Sequence, residues 1–157
     1  MRYDTGTTET VRFDSALLAA GGARVQSALT LPVRTDEHVV GVRKMVREHA
    51  VDLKLSLVDQ TKLVTAASEL ARNTIKYGGG GIVLAQLLDS GIQRGLRLVF
   101  ADDGPGIADI PQALRDGFTS GGGLGLGLGG AKRLVDEFDI ESRIGEGTAV
   151  AIVKWKK

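Results

Sequence analysis

The stretch "SLVDQTKLVTAASELARNTIKY", residues 56–77, decides the fold of this chain. Its apolar and small residues recur at helical spacing, within about 100° of one another around the helix axis. This stripe consists of Leu63, Ala66, Ala67, Leu70, Thr74 and Tyr77. Ser56 with Asp59 is typical of a helix start, and Gly78 of a helix end. The pattern predicts a long central helix with one buried face.

Two polar residues lie at the edge of that stripe. Glu69 and Asn73 are four positions apart, so their side chains stack one above the other on the helix surface. A carboxylate and a carboxamide placed there can orient a nucleophile and hold a metal ion. Taken alone, the spacing fits better with a surface glutamate and an asparagine near the helix end.

The segments before this helix indicate an extension followed by a strand and a second helix. Residues 1–23 are polar at first, end in Gly21-Gly22, and are predicted to be an N-terminal extension, mobile or loosely docked. A strand with alternating residues is predicted next, closed by Pro32. Asp36 then caps a helix. The alternating strand residues are Val25, Ser27, Leu29 and Leu31, and the apolar helix face is Val39, Val42, Val46 and Ala50.

The segments after the central helix are mostly strands. Strands are predicted over residues 82–88 and 96–101, and a closing hairpin over 140–144 and 148–155. Between them an amphipathic helix is marked by Ala131, Leu134, Val135 and Phe138. This order favours an α+β domain over residues 24–157, a two-layer sandwich in which a mixed β-sheet carries helices on one face.

A sharp turn comes after the second of these strands, in "VFADDGPGI", residues 99–107. Gly104-Pro105-Gly106 reverses the chain at the strand end, where loops commonly carry binding sites. Asp102, half buried there, would accept a hydrogen bond from a ligand amino group. An ordinary Asp-Gly-Pro-Gly turn explains the same residues equally well.

The segment "GFTSGGGLGLGLGG", residues 117–130, has eight glycines in fourteen positions. A flexible linker is one explanation, but the alternation of Leu124, Leu126 and Leu128 is not typical of linkers. Glycines that lead into a helix allow backbone N–H groups to approach phosphate oxygens, and the helix N-terminus adds a favourable field.

The composition narrows the classes of function. A net charge of +1 gives no indication of a nucleic-acid partner, and no apolar run is long enough for a membrane helix. The absence of cysteine excludes disulfides and thiolate sites and fits a reducing cytoplasm, where we expect the protein to act. His38 and His49 are the only histidines, too few to suggest a metal site, and each is expected to be a plain surface or rim residue.

The motifs gain specificity from their order along the chain. "SELARNTIKYGGG" resembles the N-box of the GHKL superfamily, the Bergerat ATP-binding fold shared by gyrase, Hsp90, histidine kinases and MutL. "DDGPGI" resembles its first glycine box, and "GGGLGLGL" with "GEGT" resembles the second glycine box and the segment beyond it. "DGFTSGGGLGLGLGGAKRLVDEFDI" and "GTAVAIVKW" are most similar to the anti-sigma-factor serine/threonine kinases of the RsbT type, the switch kinases of the stressosome. The resemblance spans residues from about 25 to 157.

The resemblance implies a role for each motif residue. Glu69 would be the catalytic base, Asn73 the Mg²⁺ ligand, and Lys76 a cation facing the phosphates. Asp102 would accept from the adenine amino group with support from Thr148, beside Gly104, Gly106 and Ile107. Residues 117–127 would form the ATP lid. Its nucleotide-binding positions would be Gly121, Gly122, Gly123, Leu124, Gly125, Leu126 and Gly127.

The resemblance also implies the activity and its partners. It indicates an ATP- and Mg²⁺-dependent kinase of STAS-domain scaffold proteins that, once released, activates a downstream phosphatase. The alternative is an anti-sigma factor that holds a sigma factor directly, with ATP as ligand and a STAS-domain protein as substrate. A sensor histidine kinase lacks support because no helical hairpin precedes either histidine, and gyrase-like or Hsp90-like action would need additional domains.

Overall fold

The computed structural model describes residues 2–4, 10–12, 22–115 and 127–157. The strands are β1 (Arg2–Asp4), β2 (Thr10–Arg12), β3 (Arg24–Val33), β4 (Gly81–Asp89), β5 (Arg94–Asp102), β6 (Glu137–Arg143) and β7 (Gly147–Trp155). The helices are α1 (Asp36–Asp52), α2 (Leu57–Lys76), α3 (Ile110–Ala113) and α4 (Gly127–Arg133). In the described ranges, no helix is long and apolar enough to cross a membrane.

Five of the strands form one sheet in the order β3-β4-β5-β7-β6, and β1 pairs with β2 separately. Every pairing in the five-stranded sheet is antiparallel, where the order of elements led us to expect a mixed sheet. The reason that no strands pair in parallel is the connection from β5 to β6, which skips one position in the sheet. β5 and β6 run in the same direction, but β7 lies between them and is antiparallel to both. The α+β architecture with helices on one face of the sheet is confirmed.

The central helix α2 forms as its sequence predicts. The Ser56 side chain caps it by accepting a hydrogen bond from the Asp59 N–H at 3.1 Å. The predicted stripe is buried from Leu63 to Thr74. The prediction that Tyr77 belongs to this buried stripe is wrong, because Tyr77 is the C-cap residue and is 42% exposed. The predicted apolar face of α1 is buried throughout, while its cap is Thr35 rather than Asp36.

Two other predicted boundaries are wrong. Pro32 does not close a strand, since β3 continues to Val33. A proline is tolerated there because β3 is at the edge of the sheet in the described part of the chain, where one side of its backbone has no strand partner. Phe138 does not belong to the helix after the glycine-rich segment: α4 ends at Arg133, and Phe138 lies in β6, paired with Ile152.

The main core lies between the helices and one face of the sheet. Alternate residues of the central strands, including Val83, Leu98, Phe100 and Ile152, pack against the apolar faces of α1, α2 and α4. A second apolar cluster lies on the opposite face of the sheet, and its members among the described residues come from β4, β5 and β7.

A buried lysine ties the start of α2 to the far end of the sheet. The Lys154 side chain is 5% exposed, and its Nζ lies 3.4 Å from Asp59 Oδ1 and 3.6 Å from Asp136 Oδ1. It also donates to the Leu134 carbonyl oxygen at 3.4 Å. Burial alone would raise the pKa of Asp136, but hydrogen bonds from the Trp155 N–H and the Lys157 ammonium hold that pKa below its ordinary value.

We predict that Lys154→Met lowers the free energy of unfolding by about 1–3 kcal/mol, because two partly buried carboxylates lose the ammonium between them. Urea denaturation measures the change. Lys156→Met, at an exposed neighbouring position, is the control and should stay within roughly 0.5 kcal/mol of the parent. Equal effects of the two variants would contradict the structural role given to Lys154.

Candidate functional site

A cavity of about 790 Å³ lies between the second half of α2, the end of β5 and the start of β7. The segment after β5 and the first turn of α4 complete its wall. Eight of the residues singled out from the sequence line it together: Glu69, Asn73, Lys76, Asp102, Gly106, Ile107, Gly127 and Thr148. Residues of separate motifs therefore share one space.

Asp102 is the last residue of β5 and is almost fully buried. Its Oδ1 accepts hydrogen bonds from the Gly104 N–H at 2.9 Å and the Thr148 N–H at 3.3 Å. Within the described ranges, Oδ2 accepts none. Burial raises the pKa of Asp102 above its ordinary value, and the two N–H groups only partly offset this. A buried acceptor without a donor is chemically suited to a ligand amino group.

The backbone around Asp102 is packed so tightly that only glycine fits at several positions. A Cβ at Gly78 would overlap the Asp102 carboxylate, and a Cβ at Gly147 would overlap the Asp102 carbonyl oxygen. Gly147 also has φ +126°, a conformation that other residues rarely adopt. Gly104 lies against the Gly78 backbone, so it positions Asp102 without lining the cavity.

The end of β6 and the turn after it hold the first glycine box, residues 102–107, in place. The Ser142 hydroxyl accepts a hydrogen bond from the Ile107 N–H at 2.7 Å and lies 2.8 Å from the Thr148 hydroxyl. The Gly145 N–H donates to the Pro105 carbonyl oxygen at 2.9 Å, and a Cβ at Gly106 would press on the Arg143 carbonyl. Ser142 was not identified from the sequence, because no short motif marks a residue that acts across strands.

Glu69 and Asn73 lie on the cavity side of α2, in its last two turns. The Glu69 side chain is 12% exposed and accepts a hydrogen bond from Arg72 Nη1 at 3.4 Å. Arg72 also lines the cavity and was not predicted. The Asn73 side chain makes no hydrogen bond within the described part of the chain and so is available to a ligand. Lys76 also lines the cavity, with its Nζ 5.3 Å from the centre of the Tyr77 ring.

These residues fit an adenine nucleotide in two respects. The free acceptor of Asp102 matches an amino group, and Gly106 and Ile107 line the cavity with it. Among the described residues, no group of three or more His, Asp or Glu side chains could hold a metal ion alone. The side-chain oxygen of Asn73 is the kind of ligand that a hard cation prefers. Gly121, Gly122, Gly123, Leu124, Gly125 and Leu126 lie outside the described residues.

Comparison with protein families agrees with this geometry. The family model of histidine kinase-, DNA gyrase B- and HSP90-like ATPases matches residues 58–157. Serine/threonine-protein kinase RsbT of Bacillus subtilis (strain 168) is 45% identical over 78% of this chain and 92% of its own length. An anti-sigma F factor of Thermoanaerobacter sp. (strain X514) is 29% identical over 72% of this chain and 82% of its own.

A solved structure shares the fold. The crystal structure of the RsbU and RsbW domains of a Mycobacterium tuberculosis protein covers 82% of this chain, with a TM-score of 0.56 and 22% identity. The match covers 32% of that longer chain. The likeness shows the fold of the domain.

We predict that Ser142→Ala lowers the free energy of unfolding by about 1–2 kcal/mol, because the Ile107 N–H loses its acceptor. Urea denaturation measures the loss. Thr61→Ala removes a hydroxyl that donates to the Leu57 carbonyl oxygen of its own helix, and this control should be neutral to within roughly 0.5 kcal/mol. A neutral Ser142→Ala would show that the hydroxyl does not hold the loop.

The raised pKa of Asp102 predicts a particular dependence of stability on pH. Between that pKa and the ordinary value of about 3.9, the folded state binds a proton that the unfolded state does not. The free energy of unfolding of the parent should therefore rise relative to Asp102→Asn as the pH falls through this window. Urea denaturation of both proteins over a pH series measures the difference. A difference that stays constant or falls would contradict the burial-driven shift.

Proposed function

Because this chain belongs to the family of histidine kinase-, DNA gyrase B- and HSP90-like ATPases, we propose that it binds ATP in the cavity beside Asp102 and is a serine/threonine protein kinase. The observation that carries the proposal is the shared cavity of Glu69, Asn73 and Asp102 in a chain 45% identical to a serine/threonine kinase. The identity extends over 92% of that relative, so the likeness is not confined to the nucleotide-binding motifs.

Asp102 selects the base of the nucleotide in this proposal. Its free Oδ2 accepts from the adenine amino group, and the Thr148 N–H keeps the other oxygen in place. Guanine presents a carbonyl where adenine has the amino group, which would leave a buried carboxylate facing an acceptor. Sites built around such a hydrogen bond discriminate strongly against a ligand that lacks it. GTP is therefore expected to bind poorly.

Glu69 and Asn73 serve the other end of the nucleotide. Asn73 contributes its side-chain oxygen to Mg²⁺, which supplies charge neutralisation at the phosphates when bound. Glu69 orients the acceptor hydroxyl of the substrate protein and receives its proton late in the transfer, as the bond to phosphorus forms and the bond to ADP breaks. Lys76 and the N–H groups of residues 121–127 are the proposed partners of the phosphate oxygens.

The substrate is proposed to be a STAS-domain protein, in a partner-switching pathway of the cytoplasm. The identity to serine/threonine-protein kinase RsbT favours a kinase. We propose that it acts on scaffold proteins and afterwards binds a phosphatase, as the sequence resemblance implies. The alternative, direct binding of a sigma factor, is supported by relatives named anti-sigma F factor, including one of Clostridium novyi (strain NT) that is 33% identical over 62% of this chain. The higher identity and coverage of the kinase favour the first.

We predict that Mg²⁺ and γ-labelled ATP transfer label to a serine or threonine of a STAS-domain protein encoded beside this chain, and that Glu69→Ala abolishes the transfer while ATP still binds. Calorimetry measures the binding of ATP. Counting the label on the isolated STAS-domain protein measures the transfer. Glu37→Ala, an exposed glutamate of α1 away from the cavity, should transfer as well as the parent.

Asp102→Asn tests the binding of ATP. Its amide places a donor where the adenine amino group needs an acceptor, so we expect ATP affinity to fall at least about a hundredfold. Unchanged affinity would overturn the assignment of Asp102. Binding of ATP and of the STAS protein without label would reject the kinase. Co-purification with a sigma factor would favour the alternative function, an anti-sigma factor that binds the sigma factor directly.

A further inference from the structure

Arg72 is a charged residue of the cavity wall to which the proposed reaction assigns no role. Its Nη1 donates to Glu69 Oε1 at 3.4 Å, across one turn of α2. Among the described residues, this is the one hydrogen bond that either side chain makes. The guanidinium therefore contacts the carboxylate that we assign to the acceptor hydroxyl.

The backbone of α2 is firmly held at this pair. Leu70 and Ala71, the two residues between Glu69 and Arg72, are 1% and 0% exposed. Both pack in the main core, so the helix that carries the pair has a fixed position. The freedom that remains is rotation of the two long side chains. The direction of the Glu69 carboxylate is thus decided by what its side chain contacts.

The two side chains differ in their exposure to solvent. The Glu69 side chain is 12% exposed, whereas the Arg72 side chain is 56% exposed. The carboxylate is largely withdrawn from water, and the guanidinium reaches solvent at the rim of the cavity. Solvent screens such a pair, so it contributes little to the stability of the fold. Its geometry matters for the site instead.

A second cation on the same rim favours this pairing. Lys76 follows Arg72 by four residues and also lines the cavity. Side chains four apart on a helix are neighbours, and two like charges repel each other at this spacing. Glu69 lies three residues before Arg72, on the side away from Lys76. Attraction and repulsion therefore both direct the guanidinium toward Glu69.

A general base is effective only when its accepting oxygen points at the hydroxyl. A misplacement of about 1 Å in a reacting group can lower a rate roughly a hundredfold. Active-site bases are commonly oriented by a third group that bonds to the base without touching the substrate. A guanidinium suits this task because its N–H groups have fixed directions in one plane. With Oε1 of Glu69 held, Oε2 remains for the hydroxyl.

We propose that Arg72 is a positioning residue for the phosphoryl transfer: it holds Oε1 of Glu69 and so directs Oε2 at the acceptor hydroxyl. The hydroxyl oxygen bonds to the γ-phosphorus as the bond from phosphorus to ADP breaks, and Oε2 takes the hydroxyl proton. Arg72 keeps its own protons and acts through Glu69 alone. This inference rests on the proposed kinase activity.

The test measures transfer of γ-label to the STAS-domain protein by Arg72 variants. Arg72→Gln should lower kcat roughly tenfold or more, while the Kd for ATP and the KM for the STAS-domain protein stay within about threefold of the parent. Arg72→Lys keeps a cation within reach of Oε1 and should recover part of the loss. Lys62→Gln removes a positive charge from an exposed position of α2 away from the cavity, and should transfer like the parent.

A double-variant comparison shows whether Arg72 acts through Glu69. In Glu69→Asp the side chain is one methylene shorter, so the guanidinium cannot hold its carboxylate in the same place. Arg72→Gln should therefore lower kcat of Glu69→Asp by at most about threefold, less than it lowers kcat of the parent. An equal loss in both backgrounds would overturn the proposal, because Arg72 would then act directly on the nucleotide or the substrate.

The remaining outcomes separate this inference from the proposed function. Parental kcat in Arg72→Gln would reject the positioning role and leave the kinase activity standing. A fall in ATP affinity as large as the fall in transfer would assign Arg72 to the phosphates instead. Equal losses in Arg72→Lys and Arg72→Gln would also contradict the proposal. A parent protein that binds ATP but transfers no label would reject the kinase, and the role of Arg72 with it.

Discussion

The close approach of three backbone segments around Asp102 is the constraint on which the rest of the site depends. The end of α2, the end of β5 and the start of β7 meet at Gly78, Asp102 and Gly147, with no room for a Cβ at either glycine. This contact brings the polar edge of a helix to the end of a central strand. Without it, Glu69 and Asp102 would belong to separate surfaces rather than to one cavity.

The features predicted correctly from the sequence are those that depend on local periodicity or on an ordered set of motifs. The stripe of α2 and its Ser56 cap follow from helical spacing and from the hydrogen-bonding capacity of one side chain. The order of the three motifs identified the ATPase family, since no single motif was specific by itself. The proposed roles of Glu69, Asn73 and Asp102 rest on resemblance and geometry together.

The features that were missed depend on contacts between residues distant in the chain. Pro32 resembles the end of a strand until the position of β3 at the sheet edge is known. Phe138 continues the helical pattern of Ala131 and Leu134, but pairing with β7 draws it into a strand. Ser142 has no recognisable motif, and its role becomes visible only when β6 lies beside the loop of Ile107.

The position of β7 in the sheet has a consequence for synthesis on the ribosome. β7 is the last strand of the sheet in chain order, yet it lies between β5 and β6 and carries Thr148 and Gly147 to Asp102. A nascent chain that ends before β7 has an open, apolar edge on β5 and only part of the wall around Asp102. Until β7 is inserted, the unpaired edge of β5 is therefore exposed to pairing with other chains.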